Sequence, residues 1–538
     1  MPTKFIFVTG GVVSGLGKGI TAAALGRLLK ARGLAVRNQK FDPYINVDPG
    51  LMSPTQHGEV FITEDGAETD LDIGHYERFT DENLNIESDI TTGMIYRDVI
   101  NREREGGYKG TTVQVVPHII NEIKEHLFKL AGEDGPDVVI TEIGGTIGDM
   151  ESQPYVEAIR QASHEVGREN VLFIHVTLIP YLRKAGEIKT KPTQHSVRTL
   201  LSMGIQPDIL VCRSEVPIDK SVKRKIALYC NVQEEAVIEN IDVDTVYELP
   251  LLFEAEGFAK VVCRKLRIAE GVEPDLKDWE KLVAQSRSTN RSLEIAIVGK
   301  YVTLHDAYLS VTESLRHAAI PKNTRLNLRY VSAEEIEEKG PGALLENTDA
   351  IVLPGGFGPR GMEGMVLTAR YARENNIPFL GIGLGMQMAT VDAARHGGLN
   401  NAHSAECESS CTPLFVLPDN GSSQEKYMRR GAQDIKLEAG SRMAEIYGRT
   451  ELSERHHNRW EFDPQYSEAV RNGGFRLTGW SADGKYLEAI EHPEHPFYIA
   501  VIYQPEFKSR PTRPHPLFSE LITVALNCQK GDCKTDAV

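Results

Sequence analysis

Cysteine is scarce: seven residues in a chain of 538, scattered and odd in number, so neither a disulfide framework nor a four-ligand zinc pattern is present. Free thiols are the pattern of a reduced, cytoplasmic protein. Long apolar runs are missing too. None approaches the roughly 20 residues that cross a bilayer, and the chain opens on a strand-like segment instead of a signal peptide, so no membrane role is expected. Positive charge is also in deficit. Sixty Lys and Arg face 76 Asp and Glu, a net charge of −16, which argues against general nucleic-acid binding. An acidic chain acting on anionic substrates has to concentrate its lysines locally.

What the chain does have is a stretch around which the rest is organised, FIFVTGGVVSGLGKGI at residues 5–20. A β-branched and aromatic run (Phe5 to Thr9) leads into Gly10, Gly11, Gly15, Gly17 and Gly19 around Lys18. An Ala- and Leu-rich helical run follows from Ile20 to Lys30. Strand, glycine turn and helix form the arrangement that cradles a polyphosphate: glycines admit the backbone N–H groups, the helix N-terminus adds its dipole and Lys18 a point charge. The spacing is unusual, with five residues between Gly11 and the Gly17-Lys18 pair. Gly19 stands where a metal-binding Ser or Thr is expected, so the Mg²⁺ ligands have to come from elsewhere.

Two stretches offer them. In HGEVFITEDGAETDLDIGHYERF (57–79), Asp70 and Asp72 flank one residue, and in extended geometry both face one side. DVVITE (137–142) reads as a strand ending in Glu142, a second oxygen ligand at the carboxyl end of a parallel strand. Residues 112–131 read as an amphipathic helix, and 35–40 and 171–177 as further strands. GEIKTKPTQHSV (186–197) supplies the local basic cluster through Lys189 and Lys191, and Lys223, Arg224 and Lys225 add charge. Polar residues 268–291 read as a linker helix and loop. A new strand at 293–298 then opens a second α/β domain with a glycine loop at 350–361, a strand–turn–helix at 377–390 and a last chemical segment at 497–507.

These strings closely resemble the CTP synthase family. The resemblance rests on GGVVSGLGKGI, KFDPYINVDPG, HGEVFITEDGAETDLDIGHYERF, EIGGTIGDMES and GEIKTKPTQHSV, then LPGGFGPRG, GLGMQ and PEF. It implies an α/β fold of two doubly wound domains: an amidoligase of dethiobiotin-synthetase-like, P-loop type (1–267), a linker (268–291) and a class I glutamine amidotransferase-like domain (292–528), with a disordered tail (529–538). The implied reaction phosphorylates UTP at O4 with ATP and Mg²⁺, then displaces phosphate with ammonia to give CTP. By position, Gly15, Leu16, Gly17, Lys18, Gly19 and Ile20 hold ATP phosphates with Lys40 nearby, and Asp72 and Glu142 hold the metal. Ser14, Lys189, Thr190, Lys191, Pro192, Thr193, Gln194 and Lys225 contact UTP. Asp149, Met150 and Glu151 line the site where CTP inhibits. A homotetramer, GTP as effector and an ammonia path near His57 and Val60 are implied as well.

The second domain departs from the pattern. Such amidotransferases carry a nucleophilic Cys on the strand-to-helix turn, a His base and an orienting Glu. Gly383 stands at the Cys position and Gln504 at the His position; Glu506 remains. Much of the implied glutamine pocket is kept: Gly356, Leu384, Gly385, Met386, Gln387, Glu406 and Arg459. Cys407 and Cys411 lie outside the turn that aims a nucleophile, and His456, His457 and His515 read as surface or packing residues. Gly383 with Gly381 and Gly385 on either side is expected to loosen the turn. The implied enzyme uses ammonia and lacks glutaminase activity. A non-catalytic paralogue that co-assembles with an intact homologue is the competing reading, and another amidoligase a distant third.

Overall fold

The computed structural model describes residues 2–13, 15–132, 135–407, 411–418 and 427–531. The chain forms two compact units, Met1–Leu51 with Asp72–Val283, and Met52–Leu71 with Ala284–Val538. Among the described residues no helix is long and apolar enough to cross a membrane.

The first unit is built on a fully parallel sheet of β1 (Lys4–Gly10), β2 (Val36–Asp42), β3 (Asp89–Thr91), β4 (Val138–Ile143), β5 (Val171–Leu178), β6 (Ile209–Ser214) and β7 (Val237–Ile241). Their order is β7-β6-β5-β1-β4-β2-β3. Every residue of β1 is buried, as expected of near-continuous apolar runs covered on both faces. The chain works along one side of β1, then crosses to the other between β4 and β5. That reversal opens a crevice at the carboxyl ends of the strands, where doubly wound sheets bind ligands.

Helix α1 (Lys18–Lys30) follows β1 directly. The helix expected over 112–131 is regular only from Ile120 to Lys129; Pro117 lacks an N–H, and Val116 before it is extended (φ −107°, ψ 120°). Helix α2 (Leu71–Thr80) overturns the extended geometry expected for Asp70 and Asp72: Asp72 sits in the first turn of a helix, so the two carboxylates do not share a strand face. Helix α3 (Lys191–Ser202) packs on β5, and α4 (Lys277–Arg287) occupies the expected linker. Its Trp279 is buried against Phe79 and Tyr247 and donates its indole N–H to the Tyr247 carbonyl (2.7 Å).

The second unit carries a nine-stranded sheet of β8 (Arg291–Gly299), β9 (Thr324–Ser332), β10 (Ala350–Leu353), β11 (Phe379–Ile382), β12 (Arg429–Leu437), β13 (Glu451–Asn458), β14 (Arg476–Ser481), β15 (Leu487–Glu491) and β16 (Tyr498–Val501). The order is β9-β8-β10-β11-β16-β15-β14-β12-β13, parallel through β16 and antiparallel beyond. Helices α5 (Leu309–Ala319) and α6 (Leu384–His396) cover opposite faces, each with its own buried cluster.

Residues 52–71 fold with this second unit, and their acids are spent on it. Glu59 accepts from Ser310 N (2.7 Å), Glu64 pairs with Lys508 (3.3 Å), and Glu68 meets Arg430 (2.6 Å) and His457 (2.8 Å). Asp70 pairs with His57 at 3.8 Å. Cys212, Cys230, Cys263, Cys407 and Cys411 are free, whereas Cys528 is disulfide-bonded, a departure from a wholly reduced set.

Candidate functional site

In the first unit the loop from Gly10 to Gly17 sits at the mouth of the β1 crevice. Gly15 and Gly17 take left-handed φ of 72° and 84°, which glycine adopts without Cβ strain. Gly17 starts α1 without a side-chain cap, and no acid stands in the first turn. The first N–H groups of the helix therefore remain available to an anion. Lys18 reaches back to the Gly145 carbonyl (2.9 Å), and Arg213 ties down the Gly15 carbonyl (2.9 Å). Leu16 and Gly19 are buried, and Ile20 is half-buried. Ser14 lies outside the described residues.

The missing Ser or Thr at position 19 has a structural counterpart. A Cβ on Gly19 would lie 2.1 Å from Asp72 Oδ1, so glycine there is what admits the Asp72 carboxylate beside the loop. Lys40 donates to Asp72 Oδ2 at 2.6 Å. Burial opposes ionisation of Asp72, but Lys40 and His75 outweigh it and hold the carboxyl below its ordinary value. Glu142 lies in register with Val8 on one side and Lys40 on the other. It accepts from the Tyr76 hydroxyl (2.5 Å), and burial, then the Asp72 charge, push it up to about 7. A half-buried and a buried carboxylate at adjoining positions, the second hard to ionise, form a hard-oxygen donor set that suits Mg²⁺.

The segment expected to contact a second nucleotide is divided. Lys189 is half-buried and pairs with Glu187, Lys225 is exposed, and Lys191 is exposed and stands over the Tyr229 ring. Thr190, Thr193 and Gln194 are buried. Thr193 bonds Thr177 and the Leu178 carbonyl, while Gln194 donates to Thr190 and leaves its Oε1 buried with no partner among the described residues. Pro192 sits in the first turn of α3. Lys223 and Arg224 are engaged by Glu256 and Glu234. Asp149, Met150 and Glu151 are exposed.

In the second unit the expected strand–turn–helix is present, with Gly383 at its apex. Gly383 has φ 56° and ψ −111°, and its N–H donates to the Val501 carbonyl (2.8 Å). The turn is packed, contrary to the loosening expected of three glycines. Cβ atoms on Gly381 and Gly385 would meet the Gly385 and Leu353 carbonyl oxygens at 2.9 and 2.1 Å. Gln504 stands against this turn: its Nε2 lies 2.8 Å from where a Gly383 Cβ would be. Glu506 is buried, its Oε2 lacks a hydrogen-bond partner among the described residues, and burial pushes its pKa up to about 8.

Several of the residues expected to form a glutamine pocket lie in or beside this turn. Gly356 faces Leu384 and Lys300, Glu406 accepts from Gly358 N (2.6 Å), and Gln387 accepts from Ser404 (3.2 Å). Gly385 and Met386 are buried, and Arg459 is half-buried. Cys407 and Cys411 line a separate cavity of about 350 Å³ with His403 and Arg395. His456 pairs with Glu488 (2.7 Å), His457 with Glu68 and His515 with Glu454 (3.1 Å). Sequence reasoning missed Tyr76, Arg213 and Lys300. Lys300 is buried, its pKa lowered to about 8 by that burial, and its ammonium donates to the Phe357 and Gly358 carbonyls. Its signal was a lysine directly after the β8 strand.

Comparison with known proteins places both units. The family described as CTP synthase N-terminus matches residues 4–268, and glutamine amidotransferase class-I matches residues 303–524. A CTP synthase of Ruminiclostridium cellulolyticum is 54% identical over 529 residues, covering 98% of this chain and 99% of the relative. That of Bacillus subtilis is 53% identical over 525 residues, covering 97% and 98%. The Trypanosoma brucei CTPS glutaminase domain with bound acivicin, a solved structure, is 34% identical over 44% of this chain and 94% of its own, with a TM-score of 0.42. Near-full-length identity above one half establishes that the chain belongs to the CTP synthase family.

Proposed function

We propose that this chain is a C–N ligase that makes CTP from UTP, ATP and ammonia, with a second unit that no longer hydrolyses glutamine. The observation that carries the reading is the pairing of an intact phosphate site with a vacated nucleophile: Lys18, Asp72 and Glu142 remain together, whereas Gly383 has no side chain and Gln504 fills the space.

In the first unit the uncapped start of α1 and Lys18 bind the ATP phosphates, and Lys40 supplies a second positive charge beside Asp72. Asp72 and Glu142 would hold Mg²⁺, which supplies charge neutralisation of the transferring phosphoryl group. Transfer to the uracil O4 converts a poor leaving group into phosphate, which ammonia displaces. Fixed positive groups stabilise the charge that develops. The orphaned Oε1 of Gln194 is a buried acceptor in the UTP segment awaiting a donor. Asp149, Met150 and Glu151 are the proposed CTP contacts, in a homotetramer.

In the second unit, attack on a carboxamide needs a thiolate and a proton shuttle. A glutamine side chain does not titrate near neutral pH, and the remaining Glu506 is mostly protonated at pH 7. GTP stimulation of a glutaminase step has nothing left to act on. The test is CTP formation by the purified protein with Mg²⁺, ATP and UTP, supplied with NH₄Cl or with glutamine. Turnover with NH₄Cl alone, rising with pH as NH₃ increases, supports the reading. No turnover with either donor supports the non-catalytic, co-assembling alternative.

A further inference from the structure

Beneath the phosphate loop lies a buried polar chain that none of the proposed contacts uses. Thr9 on β1 and His175 on β5 are register partners, so their side chains share a sheet face, and Thr9 Oγ1 is 2.9 Å from His175 Nδ1. On its far side His175 Nε2 is 2.8 Å from the Ser196 hydroxyl on α3. Thr9, His175 and Ser196 are 1%, 0% and 7% exposed, so the chain is closed to solvent.

Its hydrogens can be assigned from the partners. Thr9 donates its hydroxyl hydrogen to the Ile174 carbonyl (3.2 Å), which leaves its oxygen to accept from Nδ1–H. Nε2 then accepts from the Ser196 hydroxyl. Burial, reinforced by the Lys18 charge, lowers the imidazole pKa to about 3. The ring is thus held neutral, with both nitrogens already committed to Thr9 and Ser196.

The same hydroxyl touches the loop. A Cβ on Gly11 would lie 1.7 Å from Ser196 Oγ, 3.0 Å from Ser196 Cβ and 3.2 Å from His175 Nε2. The Gly11 N–H is bound to the Val176 carbonyl (3.1 Å), one residue beyond His175. Ser196 is also close to the first turns of α3, where Thr193 grips Thr177 and Leu178 of β5. One imidazole therefore joins the strand that feeds the loop, the loop's own backbone and the helix that starts with the candidate UTP residues.

We propose that His175 is a positioning residue: through Ser196 it clamps the base of the phosphate loop to α3, so that the anion site at Gly15–Ile20 and the UTP contacts at Lys189–Gln194 keep one spacing. This rests on the reading of those segments as the ATP and UTP sites. The clamp explains why position 11 is glycine, a residue whose φ there is not left-handed and which no backbone need would otherwise require.

Four variants test it. Ser196→Ala removes the contact without adding volume, and His175→Phe removes both bonds at similar size. His175→Gln keeps a polar atom near the Nε2 position. Gly11→Ala intrudes on the clamp from the loop side. With ATP saturating, Ser196→Ala and His175→Phe are expected to raise the KM for UTP at least fivefold while kcat at saturating UTP changes less than threefold. His175→Gln should recover part of the KM. Gly11→Ala should be severely impaired, and Gly11→Ala with Ser196→Ala less impaired than Gly11→Ala alone. An unchanged KM accompanied only by a lower melting temperature would reduce His175 to packing and overturn the proposal. Hydrogen exchange supplies a readout independent of catalysis: in Ser196→Ala, residues 10–19 and 189–196 should lose protection together. If the parent protein makes no CTP, the functional reading fails, yet exchange still judges the clamp, and unchanged protection in either segment overturns it.

Discussion

Substituting alanine for Gly383 should destabilise the second unit, although glycine-to-alanine changes usually stabilise. At φ 56° and ψ −111° a residue with a Cβ is strained by about 1–3 kcal/mol. Against this, alanine narrows the unfolded ensemble, which favours the folded state by about 0.4–1 kcal/mol. The new Cβ also meets Gln504 Nε2 at 2.8 Å, while Gly355 Cα at 3.4 Å is an ordinary contact. The amide is the far end of a flexible side chain and can swing aside, so the net cost is about 1–2 kcal/mol, or a fall in melting temperature of about 2–8 °C for a unit of this size. Urea or thermal unfolding read by tryptophan fluorescence measures it. Repeating the change in a Gln504→Ala background separates backbone strain, which persists, from the Gln504 contact, which vanishes. A Gly383→Ala protein as stable as the parent would refute the strained-turn reasoning. The same geometry governs repair: Gly383→Cys alone should yield no glutaminase, because Gln504 crowds the thiol and supplies no base. Gly383→Cys with Gln504→His should release measurable glutamate.

Other outcomes follow from the first unit and from the buried acids. Lys18→Ala should lower ammonia-dependent CTP formation by at least about 10²-fold and leave the melting temperature unchanged, since Lys18 is not part of the buried core; near-normal turnover would remove it from the phosphate site. Asp72→Asn should shift the Mg²⁺ dependence to higher concentration, and a titration matching the parent would make Asp72 structural. Glu506 has a folded pKa of about 8 against an ordinary 4.5. The folded state therefore holds the extra proton between those values, and its contribution to stability is full below about pH 4.5 and lost as pH rises towards 8. The loss is at most about 1.4 kcal/mol per pH unit. Glu506→Gln should flatten that part of the stability profile, and an unchanged slope would show that Glu506 titrates normally.

Much of this arrangement was legible because it depends on local chemistry. The β1 strand, the glycine loop and α1 were readable from apolar runs and glycine spacing, and Glu142 from its place at a strand end. Gly383 and Gln504 were noticed because neither side chain can act as a nucleophile or as a base near neutral pH. What escaped depends on partners distant in sequence. Asp72 was expected on a strand, but two-residue spacing cannot distinguish an extended segment from the first turn of α2. In the 57–79 stretch only Asp70 and Asp72 stood out in the sequence, whereas Glu59, Glu64 and Glu68 meet Ser310, Lys508, Arg430 and His457, more than 200 residues away. That Gly19 makes room for Asp72, and that Gln504 stands against the Gly383 turn, are matters of distance that no spacing encodes.

The source of the CTP amino nitrogen tests the central claim most directly. The purified protein would be given ATP, UTP, Mg²⁺, unlabelled NH₄Cl and glutamine carrying ¹⁵N in its amide, with CTP and glutamate followed by mass spectrometry. The expected result is CTP whose amino group is unlabelled and no glutamate above the protein-free control. Amino-labelled CTP formed in step with glutamate would contradict it.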